Sequence, residues 1–243
     1  MAGRAAPLGA RVFVDFDGTI ALEDTTDVIL ERFALPQWRL VEADWVAGRI
    51  GSRECLARQV DLIRARPCDL DAIASEIPID PHFLDFAALC RANAIPLTVV
   101  SDGLGQVVTA MLARAGADVT VLANRLVRIG TDRWRLAFPH ASEACRSAAG
   151  NCKCRALDRE PGTLRILIGD GRSDFCAAQS ADLVFAKGAL AAHCHANGLA
   201  YQVFGNFAGA ITLLAQWIDA LADAPAPAAA TALGELAHAP PSA

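Results

Sequence analysis

Six residues carry chemistry when read by type and spacing: Asp15, Asp17, Ser101, Lys153, Asp170 and Asp174. Asp15 and Asp17 open the stretch Asp15-Phe16-Asp17-Gly18-Thr19-Ile20, directly after the apolar run Arg11-Val12-Phe13-Val14. Asp170 follows Leu164-Arg165-Ile166-Leu167-Ile168-Gly169, and Asp174 comes one helical turn later. Carboxylates gathered at the ends of neighbouring strands repel one another unless a cation sits among them. Oxygen donors select a hard ion, and Mg²⁺ is the default. Ser101 stands ahead of Gly103-Leu104-Gly105, and Lys153 follows a Gly150-Asn151 turn. A hydroxyl and free backbone N–H groups at a helix N-terminus suit an anion. Together with a lysine, a metal ion and several aspartates they suit a phosphoryl group.

Strands must hold these residues in place. Further apolar runs occur at Pro96-Leu97-Thr98-Val99-Val100, Asp118-Val119-Thr120-Val121-Leu122, Asp182-Leu183-Val184-Phe185-Ala186 and Tyr201-Gln202-Val203-Phe204. Short continuous apolar runs are the pattern of strands covered on both faces. Helical patterns lie between them: Gln106 to Ala115, stopped by Gly116, and Ser173 to Ser180, with Ser173 as N-cap. The alternation predicts an α/β fold, a doubly wound, Rossmann-like parallel sheet with ligands at the carboxyl ends of its strands. Arg125 to Phe138 reads as a β-hairpin around Gly130-Thr131-Asp132. Residues 22–80 contain no convincing strand and read as a helical cap inserted after the first strand, with Ser52 as an internal N-cap. The expected organisation is a core of residues 11–21 and 81–221, the cap at 22–80, and disordered ends at 1–10 and 222–243, the latter rich in Ala and Pro.

The 243 residues are 53% apolar and 20% charged with a net charge of −5, which excludes wholesale disorder and argues against a dedicated nucleic-acid binder. The apolar stretch Phe207 to Ile218 is broken by Gln216 and closed by Asp219, too short to span a membrane. The run Val12-Phe13-Val14 stops at Asp15, before a secretory segment could form. The eight cysteines therefore read as reduced, mostly buried thiols of a cytoplasmic protein. Cys152-Lys153-Cys154 has no second knuckle to complete a zinc site. Trp38 and Trp45 read as packing residues, with an apolar leaving-group pocket as the sharper alternative. The expected partner is a small phosphorylated metabolite, and the expected state a monomer or homodimer.

Four segments in order carry a resemblance: Asp15-Phe16-Asp17-Gly18-Thr19-Ile20, Ser101-Asp102-Gly103, Lys153 in Gly150-Asn151-Cys152-Lys153, and Gly169-Asp170-Gly171-Arg172-Ser173-Asp174. They match the motifs of the haloacid dehalogenase (HAD) superfamily of aspartate-dependent phosphohydrolases, which the chain resembles over about residues 11–215. The insertion between the first two motifs is similar to that of the phosphoserine phosphatase branch (subfamily IB). Within that branch, Asp24, Cys152-Lys153 and the run Ala181 to Lys187 are similar to the methionine-salvage phosphatases of 2-hydroxy-3-keto-5-methylthiopentenyl-1-phosphate.

The resemblance implies a role for each matching position. Asp15 would be the nucleophile that forms an aspartyl-phosphate, and Asp17 the acid and base. The carboxylates of Asp15 and Asp170, with the Asp17 backbone carbonyl, would hold Mg²⁺. Asp174 would act as an outer metal partner or orient Lys153. Ser101-Asp102-Gly103 and Lys153 would bind the phosphoryl oxygens, with Gly18 and Thr19 turning the chain beneath them. Glu23 and Asp24, at the cap hinge, would read the leaving group.

Blander readings stand beside these. Each aspartate could cap a turn or helix, and Lys153 could be a solvated surface lysine. Phosphoserine hydrolysis and broad-specificity hydrolysis are alternatives, although Asp24 rather than Glu at the expected acidic position argues against phosphoserine. A phospho-receiver or an idle binding protein is the alternative of another class. Asp17 separates these, because a hydrolase needs that second carboxylate and a receiver does not.

Overall fold

The apolar run that ends at Asp15 forms β1 (Ala10–Val14), the middle of a seven-stranded sheet. The computed structural model describes residues 9–157 and 163–223. After β1 come five helices: α1 (Thr25–Phe33), α2 (Trp38–Val46), α3 (Ser52–Asp61), α4 (Pro67–Glu76) and α5 (Phe83–Ala92). Then follow β2 (Leu97–Leu104), α6 (Gly105–Ala115), β3 (Thr120–Arg128), β4 (Trp134–Ala137) and α7 (Lys153–Ala156). The chain continues through β5 (Leu164–Gly169), a 3₁₀ turn (Arg172–Asp174), α8 (Phe175–Ala178), β6 (Leu183–Ala186), α9 (Gly188–Ala196), β7 (Tyr201–Val203) and α10 (Phe207–Asp223).

The strand order is β4-β3-β2-β1-β5-β6-β7, parallel except for the β3–β4 pair. This is the expected doubly wound α/β architecture, with the first motif strand, β1, beside the last, β5. The central strands are buried on both faces because they alternate between two cores. Val12, Val14, Val99, Ile166 and Ile168 face one side and pack with Phe83, Phe86, Met111 and Phe207. Phe13, Val100, Leu167 and Val184 face the other and pack with Leu157, Ala177, Leu190 and Cys194. The ring centroids of Phe83 and Phe86 lie 5.1 and 5.3 Å from that of Phe207, tying α5 to α10.

The helical stretch leaves and rejoins the sheet at one place. Ala21 and Ile79 form an antiparallel bridge, and Asp80 N–H donates to Ile20 C=O at 2.8 Å. On its far side the stretch is held by the β3–β4 hairpin. Trp134 Nε1 donates to Ala65 C=O at 2.8 Å, and Ala65 N–H donates to Asp132 C=O at 3.0 Å.

Several local expectations are corrected. The first strand begins at Ala10, so residue 10 is not part of a loose N-terminus, and residues 1–8 lie outside those described. The run at 118–122 and the first arm of the hairpin are one strand, β3, which pairs with β2 up to Asn124 and with β4 from Arg125. Ser52 is the first residue of α3, whose N-cap is Gly51. Ser173 lies inside the 3₁₀ turn rather than capping a helix. α10 runs to Asp223, past the expected start of the tail at 222, and residues 224–243 lie outside those described. Four of the eight cysteines are buried, and Cys68 is exposed.

Candidate active site

Register brings the chemistry together. Val14 pairs with Ile168, so the first residues beyond β1 and β5 emerge side by side, and Asp15 N–H donates to Ile168 C=O at 2.8 Å. Carboxylate oxygens of Asp15, Asp170 and Asp174 all lie within 4.8 Å of one another. Lys153, 3% exposed, reaches this group from α7. Its Nζ lies 2.7 Å from Asp15 Oδ1 and 2.7 Å from Asp174 Oδ1, and donates to Ser173 Oγ at 2.9 Å. Lys153 is therefore not a solvated surface lysine.

The electrostatics follow from burial. Removal from water pushes the Asp15 carboxyl well above the ordinary range, and the Asp174 charge adds to that, against the pull of Lys153. Burial likewise raises Asp170. For Lys153 burial favours loss of the proton, but Asp15 and Asp174 outweigh it and hold the ammonium charged. Three carboxylates against one ammonium leave a formal charge of −2 on hard oxygen donors. That surplus and donor set fit a divalent cation of the Mg²⁺ type.

Asp17 stands apart from the trio. Its Oδ1 accepts from Thr25 N–H at 2.8 Å and Thr25 Oγ1 at 2.6 Å, and its Oδ2 accepts from Ser101 Oγ at 3.4 Å. Its carboxylate is not one of the three clustered groups. Burial, then the Asp24 charge, raises its pKa to about 7 against the opposing Thr25 hydrogen bonds.

Ser101, Asp102 and Gly103 sit where the β2–β3 register shifts, between Val100 and Leu104. Ser101 Oγ accepts from Gly103 N–H at 2.9 Å. Asp102 accepts from Asn151 N–H at 2.6 Å and from Ser52 Oγ at 3.3 Å, joining the Lys153 loop and α3 to this turn. A Cβ on Gly103 would fall 2.5 Å from Asp17 Oδ2, so only glycine lets the two motifs approach. Gly18 has φ +69° and faces Asp170. Thr19 is fully buried, and its hydroxyl donates to Asp170 Oδ1 at 2.7 Å. Its contact is with the acidic group, and, like Gly18, Ser101 and Lys153, it is not among the residues that line the cavity.

A cavity of about 680 Å³ opens onto Asp15, Asp17 and Asp170. Asp24, Thr26, Glu42, Trp45, Leu56 and Gln59, from the stretch between β1 and β2, also line it. Asp24 is the N-cap of α1, accepting from Asp27 N–H at 2.9 Å, and lines the cavity; Glu23 is exposed and does not. Trp45 also lines it, with the Arg172 guanidinium 5.2 Å from its ring centroid. Sequence reasoning passed over Thr25 and gave Asn151 and Ser173 parts only as a turn residue and an N-cap. Thr25 had a signal in its place just after a helix-capping aspartate, whereas Asn151 and Ser173 had none beyond their neighbours.

A curated relative from Brevibacillus brevis, named 2-hydroxy-3-keto-5-methylthiopentenyl-1-phosphate phosphatase, is 32% identical over 84% of this chain and 95% of its own length. One of the same name from Geobacillus thermodenitrificans is 30% identical over 81% and 91%. Among solved structures, a substrate-bound phosphoserine phosphatase complex superposes with a TM-score of 0.58 at 18% identity, covering 76% of this chain and 90% of that one. A phosphoserine phosphohydrolase-like protein from Francisella tularensis gives 0.60 at 14% identity, covering 84% and 99%. These two show a shared fold. The pattern of the haloacid dehalogenase-like hydrolases matches residues 12–179, and the chain belongs to that family.

Proposed function

We propose that this phosphoric monoester hydrolase acts on a small enol phosphate of the methionine-salvage type, 2-hydroxy-3-keto-5-methylthiopentenyl-1-phosphate, through an aspartyl-phosphate on Asp15. The observation that carries the reading is the joining of Asp15, Asp170, Asp174 and Lys153 in one buried group, with Asp17 held separately beside it. A receiver has no use for a second carboxylate kept near neutrality, and an idle binding protein has no use for the full set. The relatives' name supports the substrate, as does a wall that combines Trp45 and Leu56 with polar groups, suited to a thioether tail on an oxygenated chain.

The steps follow from the residues. Asp15 attacks phosphorus as the bond to the leaving oxygen breaks, and Asp17 delivers its proton to that oxygen. A pKa near 7 leaves Asp17 able to do so at neutral pH. Water then attacks phosphorus, Asp17 takes a proton back, and the bond to Asp15 breaks to release phosphate. Lys153 and Ser101 balance charge on the phosphoryl oxygens, and Lys153 holds Asp15 in position. Asp15, Asp170 and Asp174 would hold Mg²⁺, with the Asp17 backbone carbonyl as a further donor. The ion supplies positive charge to the phosphoryl group when bound. Residues 22–80 act as a cap that covers the leaving group and excludes water, Asp24 standing at its hinge.

The test is phosphate release from the enol phosphate, phosphoserine and p-nitrophenyl phosphate, each with Mg²⁺ and with EDTA. The reading expects Mg²⁺-dependent turnover with the highest kcat/KM on the enol phosphate. A higher value on phosphoserine would replace the substrate, and activity unchanged by EDTA would remove the metal.

A further inference from the structure

Thr26 has no part in the chemistry above, yet it sits against it. The residue is 7% exposed, and its hydroxyl is buried without a hydrogen-bond partner. Of the five buried side-chain atoms in that condition among the described residues, Thr26 Oγ1 alone belongs to a residue lining the cavity. A buried hydroxyl left unpaired is unfavourable, so a group of this kind on a cavity wall signals a ligand atom that completes it.

The position of that atom is constrained. The point where a Gly103 Cβ would stand is bordered by three oxygens: Asp17 Oδ2 at 2.5 Å, Ser101 Oγ at 3.1 Å and Thr26 Oγ1 at 3.4 Å. Asp17 serves the bridging oxygen of the ester and Ser101 the phosphoryl group. Thr26 comes from α1, on the helical wall, so it meets the first atoms of the leaving group beyond the bridging oxygen. We infer that the Thr26 hydroxyl recognises a hydroxyl or carbonyl oxygen on the carbon next to the phosphate-bearing carbon. This rests on the proposed function and deepens it, since a 2-hydroxy-1-phosphate carries its hydroxyl at that carbon. It makes Thr26 a specificity-determining residue for vicinally oxygenated phosphoesters.

A matched pair of substrates tests it: 1,2-propanediol 1-phosphate and n-propyl phosphate, which differ only in that hydroxyl. The wild type should prefer the diol ester by about 10–100-fold in kcat/KM. Thr26→Val, nearly isosteric, should erase the preference by slowing the diol ester alone, and Thr26→Ser should keep it. An equal fall on both esters would make Thr26 structural and overturn the inference, as would no preference in the wild type. Turnover of the enol phosphate without preference within the pair removes the Thr26 role and leaves the proposed substrate standing. Preference within the pair without turnover of the enol phosphate does the reverse.

A separate observation concerns sulfur. Cys154 of α7 donates its S–H to Cys176 of α8, with the sulfurs 2.9 Å apart, and Cys176 lines the cavity. A disulfide needs about 2.05 Å, a short further approach. We propose that this pair is an oxidation site for hydroperoxides. The Cys176 sulfur attacks the peroxide, the O–O bond breaks, the thiol proton goes to the departing oxygen, an alcohol or water leaves, and Cys176 becomes a sulfenic acid. Cys154 sulfur then attacks that sulfur, the S–O bond breaks, and water leaves as the S–S bond forms. The peroxide takes two electrons, and the product ties α7, the helix of Lys153, to α8, which follows the turn of Asp174. Treating the full chain with hydrogen peroxide, alkylating and mapping peptides should give a 154–176 linked pair, lighter by two hydrogens. Dithiothreitol should reverse it, and Cys154→Ser should lack it. Recovery of both cysteines alkylated, a bridge confined to other cysteines, or a sulfinic acid on Cys176 without a bridge would overturn it.

Discussion

Lys153 Nζ lies 2.7 Å from Asp15 Oδ1, and both residues are buried. The same ammonium lies 2.7 Å from Asp174 Oδ1, so one cation restrains the proposed nucleophile and the turn after β5 together. In this site the lysine is as much a counter-charge for the fold as a group for the phosphoryl oxygens.

Lys153→Met should therefore destabilise the protein in EDTA by about 3–5 kcal/mol, because it leaves buried carboxylates without a partner. Mg²⁺ should recover part of that loss. Thermal denaturation of both proteins with and without the ion measures it, and equal melting temperatures in EDTA would contradict the ion-pair account.

Asp17 carries a pH signature. Its carboxyl is raised to about 7 in the folded chain, against about 3.9 when unfolded. The folded state thus binds the proton more tightly, and stability in EDTA falls as pH rises from about 4 to about 7. Asp15 and Asp170 are raised as well and push in the same direction. Asp17→Asn keeps an acceptor for Thr25 and removes this titration. At pH 8 the variant should be more stable than the wild type by roughly 1–3 kcal/mol and slower by roughly 10²–10⁴-fold. Urea denaturation at pH 5 and pH 8 checks the sign.

Gly103→Ala places a methyl 2.5 Å from Asp17 Oδ2 and 3.1 Å from Ser101 Oγ. Both oxygens belong to the proposed machinery, so kcat should fall by at least about 100-fold, the loss expected when a reacting group is displaced by about 1 Å. A kcat within a few-fold of the wild type would show that this contact relaxes without displacing Asp17.

The helical stretch is anchored as well as inserted. Trp134 Nε1 donates to Ala65 C=O inside the protein. Trp134→Phe should leave that carbonyl unpaired and lower stability by about 1–3 kcal/mol in chemical denaturation. No change would show that the hairpin does not hold the helices.

Much of this was legible in the residues. The runs ending at Asp15, Ser101 and Gly169 are short, apolar and β-rich, and strands buried on both faces admit little else. Their order placed the acidic motifs together because β1 and β5 are neighbours. Less was legible where tertiary contacts decide. β3 continues through Asn124 because it changes partners from β2 to β4, and local pattern carries no trace of that exchange. Ser52 looked like a cap, yet its hydroxyl turns to Asp102, fifty residues away. Thr19 looked like a phosphate-loop residue, yet Asp170 takes its hydroxyl. Thr26 had no signal at all, since only the folded chain shows a hydroxyl without a partner.

The most direct test of the central claim is phosphate release by the wild type and by Asp15→Asn, in Mg²⁺, on the enol phosphate and on p-nitrophenyl phosphate. The account predicts turnover by the wild type and a loss of at least about 10⁴-fold in Asp15→Asn with the fold retained, because a neutral amide cannot replace the carboxylate as nucleophile. Turnover that survives the substitution would contradict it and place the nucleophile elsewhere.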